Sequence, residues 1–355
     1  MRFPDFLLFP FALLYGGITA FRNHLFDAGI KRSQQFEVPT IVAGNLAVGG
    51  TGKTPFIEFL IKHLSPKVNL AVLSRGYGRK TRGFILADDT VGPSEIGDEP
   101  FQIFSKFKDH VRVAVGEERI LAIPMILAVE DGVQGILLDD AYQHRYLKAD
   151  LYVLLTTYEQ PFYEDFLLPM GRLREGRKNA NRADAVVVTK CPDILSPEEK
   201  IKMTAKIKAY TREEVPVYFA GLRYGKPYPI EAGEKSLHKN LVLLTGIVDY
   251  RPLLNELNKN HRVLEVISFP DHHRYSESDM LKIRNVCDKY RESRPAIVTT
   301  EKDAVKLRDK KLLKILPHLP IFALPVEVDM EKNDEQDLLR RVHEVIKSKN
   351  SVVEN

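Results

Sequence analysis

A glycine-rich segment near the start of the chain carries the residue types that bind phosphate. Residues 47–54 read Ala-Val-Gly-Gly-Thr-Gly-Lys-Thr, between an apolar run at 38–43 and a run of helical apolar spacing at 54–64. Such a turn aims backbone N–H groups at phosphate oxygens, its lysine reaches the terminal phosphates and its last hydroxyl binds Mg²⁺. The segment therefore predicts a nucleotide site, although Ala47 stands where the strict pattern has glycine. The candidate nucleotide-binding residues are Gly49, Gly50, Thr51, Gly52, Lys53 and Thr54.

Acidic residues at two places could serve the same chemistry. Asp139 and Asp140 follow an apolar run at 135–138, and a strand-end aspartate is the expected second Mg²⁺ anchor of such a site. Neighbouring strand residues point to opposite faces, so one of the two would face the metal and the other would cap the following turn. Asp98 precedes a helix-like run at 100–107. It is either the cap of that helix or a carboxylate that accepts a proton from an attacking hydroxyl.

Two segments in the second half of the chain carry further candidates. His272 and His273 follow Asp271 in a predicted loop, where an imidazole beside a carboxylate can be tuned for proton transfer. There is no third ligand at a spacing that suits zinc, and a surface loop without a role is the alternative. Residues 300–303, Thr-Glu-Lys-Asp, either cap a helix or point Lys302 at a nucleotide across a cleft.

Positive charge is clustered in two loop-like segments. Residues 74–80 read Ser-Arg-Gly-Tyr-Gly-Arg-Lys, and residues 168–175 hold Arg172 and Arg174. Glycine backbone and guanidinium groups together can cradle phosphate, while solvent-exposed loops are the neutral alternative. The net charge of +4 does not by itself indicate nucleic acid as a partner. The two cysteines form no metal-type spacing or disulfide framework, which is typical of a reducing compartment.

The elements that must position these residues alternate between strand and helix. The predicted strands of the first half lie at 38–43, 69–73, 111–115, 135–138, 151–155 and 185–188, with helices at 54–64, 100–107 and 117–129. Apolar strands separated by helices predict a parallel sheet covered on both faces. A second α/β set is flanked by β-rich runs at 215–222 and 320–328, which would form a two-stranded hinge. We therefore expect an α/β protein: a P-loop NTPase-type three-layer α/β/α domain and a second, smaller α/β domain joined by a two-stranded linker.

The N-terminal segment departs from this soluble pattern. Residues 6–21 contain no charged side chain, and Arg22, Lys31 and Arg32 follow closely. As a helix the segment would be roughly 24 Å long, too short to span a hydrocarbon core of about 30 Å comfortably. Cations beside an apolar helix suit anionic lipid headgroups. We expect it to lie in the membrane interface; a helix packed on the protein's own core is the alternative.

Taken together, the motifs resemble those of the tetraacyldisaccharide 4'-kinases of lipid A biosynthesis. The chain departs from the family pattern at Ala141-Tyr142, where Gly-Phe is common. The matching segments occur in the family's order: 44–46 into 48–55, 74–78, 97–100, 139–144, 171–175, 271–273 and 300–303.

The resemblance implies transfer of the ATP γ-phosphate to the 4'-hydroxyl of a tetraacylated glucosamine disaccharide 1-phosphate, giving lipid IVA. It implies an enzyme on the cytoplasmic face of the inner membrane, which uses ATP and Mg²⁺, binds the lipid substrate and the membrane surface, and has no nucleic acid partner. Asp98 would be the base, paired with His272 rather than His273, and Lys302 would contact the nucleotide. Metal-binding candidates are Thr54, Asp139, Asp140 and Glu175. Substrate-binding candidates are Arg75, Tyr77, Arg79, Gln143, His144 and Arg172.

The domain boundaries that we expect follow from these assignments. They are 1–36 for the membrane-interface helix region, 37–213 for the P-loop kinase domain, 214–224 with 319–328 for the linker, 225–318 for the second domain, and 329–355 for a C-terminal helix and tail. One alternative function is a membrane-associated partitioning ATPase, whose loop carries a lysine where this chain has Val48. Another is a GTP-dependent metallochaperone, but Thr189-Lys190 matches the guanine signature poorly and there is no metal cluster.

Overall fold

Two β-sheets organise the computed structural model, which describes residues 7–231, 236–247, 249–271, 273–308, 310–316 and 319–353. The strands are β1 (Thr40–Asn45), β2 (Leu70–Ser74), β3 (Ile85–Leu86), β4 (Val111–Val115), β5 (Gly135–Asp139), β6 (Leu151–Thr157), β7 (Ala185–Cys191), β8 (Val217–Tyr224), β9 (Tyr228–Pro229), β10 (Asn240–Thr245), β11 (Arg262–Ser268), β12 (Ala296–Thr300), β13 (Ile321–Leu324) and β14 (Val326–Met330). The helices are α1 (Phe9–Asp27), α2 (Lys53–Leu64), α3 (Pro93–Ile96), α4 (Asp98–Phe107), α5 (Arg119–Val129), α6 (Pro197–Lys208), α7 (Arg251–Asn258), α8 (Glu277–Lys289), α9 (Glu301–Leu307), α10 (Lys310–Leu313) and α11 (Lys332–Val353).

The first sheet has nine strands in the order β14-β8-β7-β6-β1-β5-β2-β4-β3. Pairing is parallel from β8 through β4 and antiparallel at the two edges, where β14 meets β8 and β3 meets β4. Strands β1, β2 and β5 are buried along their whole length, as expected for central strands that are apolar on both faces. Because these strands are parallel, their carboxyl ends meet at one edge, where the candidate residues after β1, β2 and β5 come together.

Each face of this sheet carries its own hydrophobic core. One core takes apolar residues from α2 and α4, and from α11 through Leu338, Val342 and Ile346. The other core takes residues from α5 and α6, including Ile123 and Ile207. The expected C-terminal helix therefore packs on the first sheet, and this sheet is the middle of three layers.

The second sheet has five strands in the order β11-β10-β12-β13-β9. Here the structure differs from the single β-rich run expected at 320–328. That run contains β13, which pairs with β12 in the second sheet, and β14, which pairs with β8 in the first. Pro325 stands between them, and proline lacks the N–H that would continue a ladder. The chain thus leaves one sheet and enters the other at this residue, while the domain boundaries stay a prediction.

Helix α1 lies against the first sheet's loops by one face only. Ala12 and Phe26 are buried, whereas Phe11, Leu14 and Ile18 are largely exposed. In the part of the chain that the structure describes, no helix combines the length and apolarity needed to cross a bilayer.

Candidate active site

The glycine-rich loop joins the end of β1 to the start of α2, and two side-chain hydrogen bonds hold it in place. Asn45 Nδ2 donates to Thr51 Oγ1 at 2.8 Å, and Thr189 Oγ1 donates to the Thr51 carbonyl at 2.8 Å. Gly49 has φ +104° and Gly52, the N-cap of α2, has φ +78°, a region that side chains rarely adopt. The loop therefore has the fixed, glycine-dependent backbone that the phosphate-binding interpretation requires.

Lys53 begins α2 and faces the end of β5. Its Nζ lies 3.8 Å from Asp140 Oδ1, and Arg174 Nη1 lies 3.0 Å from both oxygens of the same carboxylate. Thr54 follows in the first turn of α2. The structure thus brings together the loop lysine, the strand-end acids and an arginine of the 168–175 segment.

Asp139 is the buried member of the acidic pair. Ser74 Oγ lies 3.5 Å from its Oδ2, and its Oδ1 has no hydrogen-bond partner among the described residues. Burial raises the pKa of Asp139 to about 7, with a further contribution from Asp140, while Lys53 acts in the opposite direction. A buried carboxylate oxygen without a partner, close to the loop lysine, is the type of group that a divalent cation satisfies.

Glu175, predicted to lie near the metal, accepts hydrogen bonds on both of its carboxylate oxygens. One carboxylate oxygen accepts from Arg182 Nη2 at 2.6 Å and Gln143 Nε2 at 3.1 Å, and the other accepts from Asn23 Nδ2 at 2.8 Å. Across the described ranges, acidic, histidine and cysteine side chains form no group of three or more that could hold a metal ion. Glu175 therefore ties α1 to the 171–182 loop, and its place near the metal stays a prediction.

Asp98 is the first residue of α4, and the N-cap is Gly97, with φ +93° and no side-chain cap. The capping alternative for Asp98 is therefore not observed. Its Oδ2 lies 3.6 Å from Nζ of Lys306, a residue of α9 beside the second sheet. The carboxylate stands where the two sheets meet.

The candidates around the second sheet have different environments. His272 lies outside the described residues. His273 Nε2 is 3.0 Å from Asp279 Oδ2, and its ring stacks on Phe269 at 4.4 Å, so it belongs to the start of α8. Lys302 Nζ contacts Asp271 at 3.1 Å and Glu99 at 3.9 Å. Thr300 caps α9 by accepting from the Asp303 N–H at 3.1 Å, as the capping interpretation expected.

The loop after β2 divides its candidates between two surroundings. Arg75 and Tyr77 are exposed. Arg79 instead turns inward, where Nη2 donates to Glu117 Oε1 at 2.5 Å and its side chain is almost fully buried. Arg79 was expected to cradle phosphate; in the structure its Nη2 holds the loop through Glu117 and the Gly83 carbonyl.

The polar candidates after β5 also face the protein. Gln143 Nε2 donates to the Asn45 carbonyl at 2.7 Å, and Arg22 of α1 donates to the Gln143 carbonyl at 3.1 Å. Burial lowers the pKa of His144 to about 4, helped by the charges of Arg119 and Arg22, so the imidazole is neutral at physiological pH. Gln143 and His144 thus line the junction between α1 and the glycine-rich loop.

Arg172 lies on the loop that backs the glycine-rich segment. Its Nε donates to Asp165 Oδ2 at 2.8 Å, and its carbonyl accepts from the Val48 N–H at 2.8 Å. The Arg174 N–H donates to the Leu46 carbonyl at 2.7 Å. This basic segment therefore supports the nucleotide loop through its backbone.

Sequence reasoning missed three residues of the site. Arg119, at the start of α5, is buried, and burial with the nearby charge of Arg75 lowers its pKa to about 10, although Asp139 attracts it. Lys306 was not singled out, and neither was Asn23, which follows the apolar segment at 6–21. A charged residue opening the apolar helix 119–129 was the available signal for Arg119; none marked the other two.

Comparison with known proteins identifies the family to which the chain belongs. A family model described as tetraacyldisaccharide-1-P 4'-kinase matches residues 4–346. The chain belongs to this family. Similar proteins include the tetraacyldisaccharide 4'-kinases of Flavobacterium johnsoniae, 45% identical over 343 residues (95% of this chain, 97% of that one), and Bacteroides fragilis strain YCH46, 42% identical over 346 residues (94% and 91%).

A solved structure supports the same family. The crystal structure of an "apo" form of LpxK from Aquifex aeolicus in complex with ATP matches with a TM-score of 0.75 and 29% identity, over 96% of this chain and 99% of that one. The α/β fold, the family and the enzyme class expected from the motifs are thereby confirmed. As a member of the tetraacyldisaccharide-1-P 4'-kinase family, the chain is a kinase of lipid A biosynthesis that acts at the 4' position. The roles of individual residues stay predictions.

Proposed function

We propose that this enzyme transfers the γ-phosphate of ATP to the 4'-hydroxyl of a tetraacylated glucosamine disaccharide 1-phosphate, giving lipid IVA. The observation that carries the proposal is the position of Lys53, at the start of α2 and 3.8 Å from Asp140 at the carboxyl edge of the first sheet. A lysine on a glycine-rich loop beside strand-end acids is the arrangement that holds a triphosphate for phosphoryl transfer. The further details below rest on this placement.

The nucleotide loop would act by positioning and charge compensation. Backbone N–H groups of residues 49–54 and the N-terminus of α2 would bind the phosphates, and Lys53 would offset negative charge on the transferring group. Thr54 and Asp139 would hold Mg²⁺, because Asp139 Oδ1 is buried and has no partner within the described chain. When bound, Mg²⁺ neutralises charge on phosphate oxygens.

Asp98 would accept the proton of the attacking hydroxyl. The new bond joins the 4'-oxygen to the γ-phosphorus, the bond to the β,γ-bridging oxygen breaks, ADP leaves, and the proton passes to the Asp98 carboxylate. Its place between the sheets suits a reaction in which nucleotide and acceptor meet at the interface. We retain His272 as its proposed partner and Lys302 as a proposed nucleotide contact from the second domain, within the domain boundaries expected from the sequence.

The lipid acceptor would approach over the loop that follows β2. We assign Arg75 and Tyr77 to contacts with the acidic disaccharide, since both are exposed there. Gln143, His144 and Arg172 would act by shaping the site, because the first and last are engaged with neighbouring loops. Arg79 would hold the loop through Glu117.

The membrane surface would be the second partner. The exposed apolar residues of α1 form one face, and cations follow at the end of the helix. Such a helix lies in the interface of an anionic bilayer and would keep the enzyme beside an acylated substrate. We place it on the cytoplasmic face of the inner membrane, where ATP is available.

The test is transfer of ³²P from γ-labelled ATP to a tetraacyl disaccharide 1-phosphate in detergent micelles. We expect labelled lipid with the wild type and none above background with Lys53→Ala. Lys62→Ala, on the exposed part of the same helix, should keep wild-type activity. ATP hydrolysis without labelled lipid would contradict the proposal and favour a partitioning-type ATPase.

A further inference from the structure

Helices α4 and α9 face each other with complementary charge. Helix α4 packs on the first sheet and α9 contacts β12 and β13 of the second, so this contact joins the two sheets. The acidic end of α4 meets lysines of α9, and the basic end of α4 meets a glutamate of α9. The ion pairs across the contact are Glu301–Lys106 at 2.8 Å, Lys302–Glu99 at 3.9 Å and Lys306–Asp98 at 3.6 Å.

Lys306 is held firmly on its own side of this contact. Its side chain is only 6% exposed, and its Nζ lies 3.4 Å from Asp303 Oδ1. Asp303 is itself fully buried, and its other oxygen accepts from the Gly246 N–H and from Thr300 Oγ1, each at 2.8 Å. The Lys306 ammonium group is therefore held in a fixed position beside the second sheet.

Asp98 lacks comparable support from its own helix. Gly97 is the N-cap, so Asp98 is not the capping residue of α4. The ion pair with Lys306 is the contact that the described residues supply to this carboxylate. An ion pair with one nearly buried partner has a defined geometry, and removing one member leaves the other charge uncompensated.

We propose that Lys306 is a positioning residue for Asp98, which orients the carboxylate from the second sheet and so makes the base depend on the contact between α4 and α9. The inference rests on the proposed function, since it takes Asp98 as the base. Lys306 acts through Asp98 and needs no contact with either substrate. Misplacing a reacting group by about 1 Å can cost about 10²-fold in rate.

The experiment measures lipid phosphorylation by Lys306→Met, Asp98→Asn and the double variant. Lys306→Met should lower kcat by roughly 10- to 100-fold, with the KM values for ATP and lipid within about twofold of wild type. Lys306→Arg keeps the charge and should recover most of the lost kcat. In the Asp98→Asn background, Lys306→Met should cause no further loss, because the group it orients is absent.

Glu301→Gln is the matched control, because it removes a charge from the other end of α9 and keeps hydrogen-bonding groups for Lys106 and Tyr228. We expect its kcat to stay within about twofold of wild type. Equal losses in Glu301→Gln and Lys306→Met would overturn the inference, since both would then report interface stability. So would a wild-type kcat in Lys306→Met, or additive losses in the double variant. If the wild type labels no lipid, the proposed function itself fails, which is a separate outcome.

Discussion

Asn23 Nδ2 donates a 2.8 Å hydrogen bond to Glu175 Oε2, which ties the N-terminal helix to a buried carboxylate beside the nucleotide loop. Arg182 Nη2 lies 2.6 Å from the other carboxylate oxygen. Glu175 therefore has the surroundings of a structural anchor, with its charge balanced by an arginine. Asp139 has the surroundings of a metal ligand, because one of its oxygens is buried and lacks a partner among the described residues.

These two acids should consequently respond differently to substitution. Glu175→Gln should cost about 2–3 kcal/mol in the free energy of unfolding, because Arg182 loses its ionised partner. The Mg²⁺ concentration for half-maximal activity should stay within about twofold of wild type. Asp139→Asn should raise that concentration by about tenfold or more. Thermal unfolding measures the stability of each variant, and Mg²⁺ titrations of the kinase reaction measure its metal requirement. An equal rise in the Mg²⁺ requirement for Glu175→Gln would mean that Glu175 belongs to the metal site.

Gly52 is the glycine of the nucleotide loop that combines a left-handed backbone with a close neighbouring side chain. It has φ +78°, and a Cβ there would lie 3.6 Å from the Cβ of Thr189. We expect Gly52→Ala to cost about 1–2 kcal/mol through the left-handed backbone. The resulting shift of the loop should lower kcat/KM for ATP by about tenfold or more.

Gly17 provides the control, since it lies in α1 and a Cβ there meets nothing within 4 Å. Gly17→Ala should leave the KM for ATP unchanged and keep or raise the melting temperature, because alanine favours a helix by up to about 1 kcal/mol. Unchanged ATP kinetics in Gly52→Ala would mean that the loop conformation does not form the phosphate site.

The Glu58 side chain predicts a pH dependence of stability. It is buried beneath α4, where Gln102 Nε2 donates to it at 2.7 Å and Lys106 bridges it to Glu301. Burial raises its pKa from 4.5 to about 7, while Lys106 acts in the opposite direction. The folded protein therefore keeps this proton up to about pH 7, whereas the unfolded chain releases it near pH 4.5. Folding takes up a proton in this window, so the free energy of unfolding should fall as the pH rises through it.

Glu58→Gln should remove this contribution. The wild type should lose up to roughly 3 kcal/mol from this group between pH 4.5 and 7, since one proton is worth about 1.4 kcal/mol per pH unit. The variant should show a flatter curve in urea unfolding at several pH values. Glu344→Gln, on the exposed face of α11, is the control and should follow the wild type. A Glu58→Gln curve as steep as the wild type would assign the pH dependence to other groups.

Local patterns in the sequence predicted most of the fold and part of the site. The glycine-rich loop, the strand-end aspartates and the strand ends were recognisable because each depends on a few consecutive residues. The partners of Glu175 and Arg79 were not recognisable from the sequence. Residue type alone does not distinguish a carboxylate or guanidinium group that faces a ligand from one that is bound inside the protein. The contact of Lys306 with Asp98 joins two sheets, and only the fold brings these residues together.

Helix α1 supports the last prediction, which concerns the membrane. Leu14 and Ile18 lie on its outward face and are 64% and 61% exposed, while Ala12 and Phe26 bury the opposite side. Burying two such side chains in a bilayer interface contributes about 3 kcal/mol or more. Replacing both by glutamate adds charge that anionic headgroups repel. Leu14→Glu/Ile18→Glu should therefore reduce co-sedimentation with phosphatidylglycerol vesicles by at least about tenfold.

The matched control is Ile194→Glu/Ile201→Glu, which places the same charges on two exposed isoleucines, one before and one within α6. This variant should sediment like the wild type. Helix α6 packs on one face of the first sheet and carries no exposed apolar face comparable to that of α1. Both variants should retain the wild-type melting temperature, since the substituted side chains contribute little to the core. If the α1 variant still bound vesicles as the wild type does, the exposed face of α1 would not be the membrane-binding surface, and the enzyme would have to reach its acylated substrate by another part of its surface.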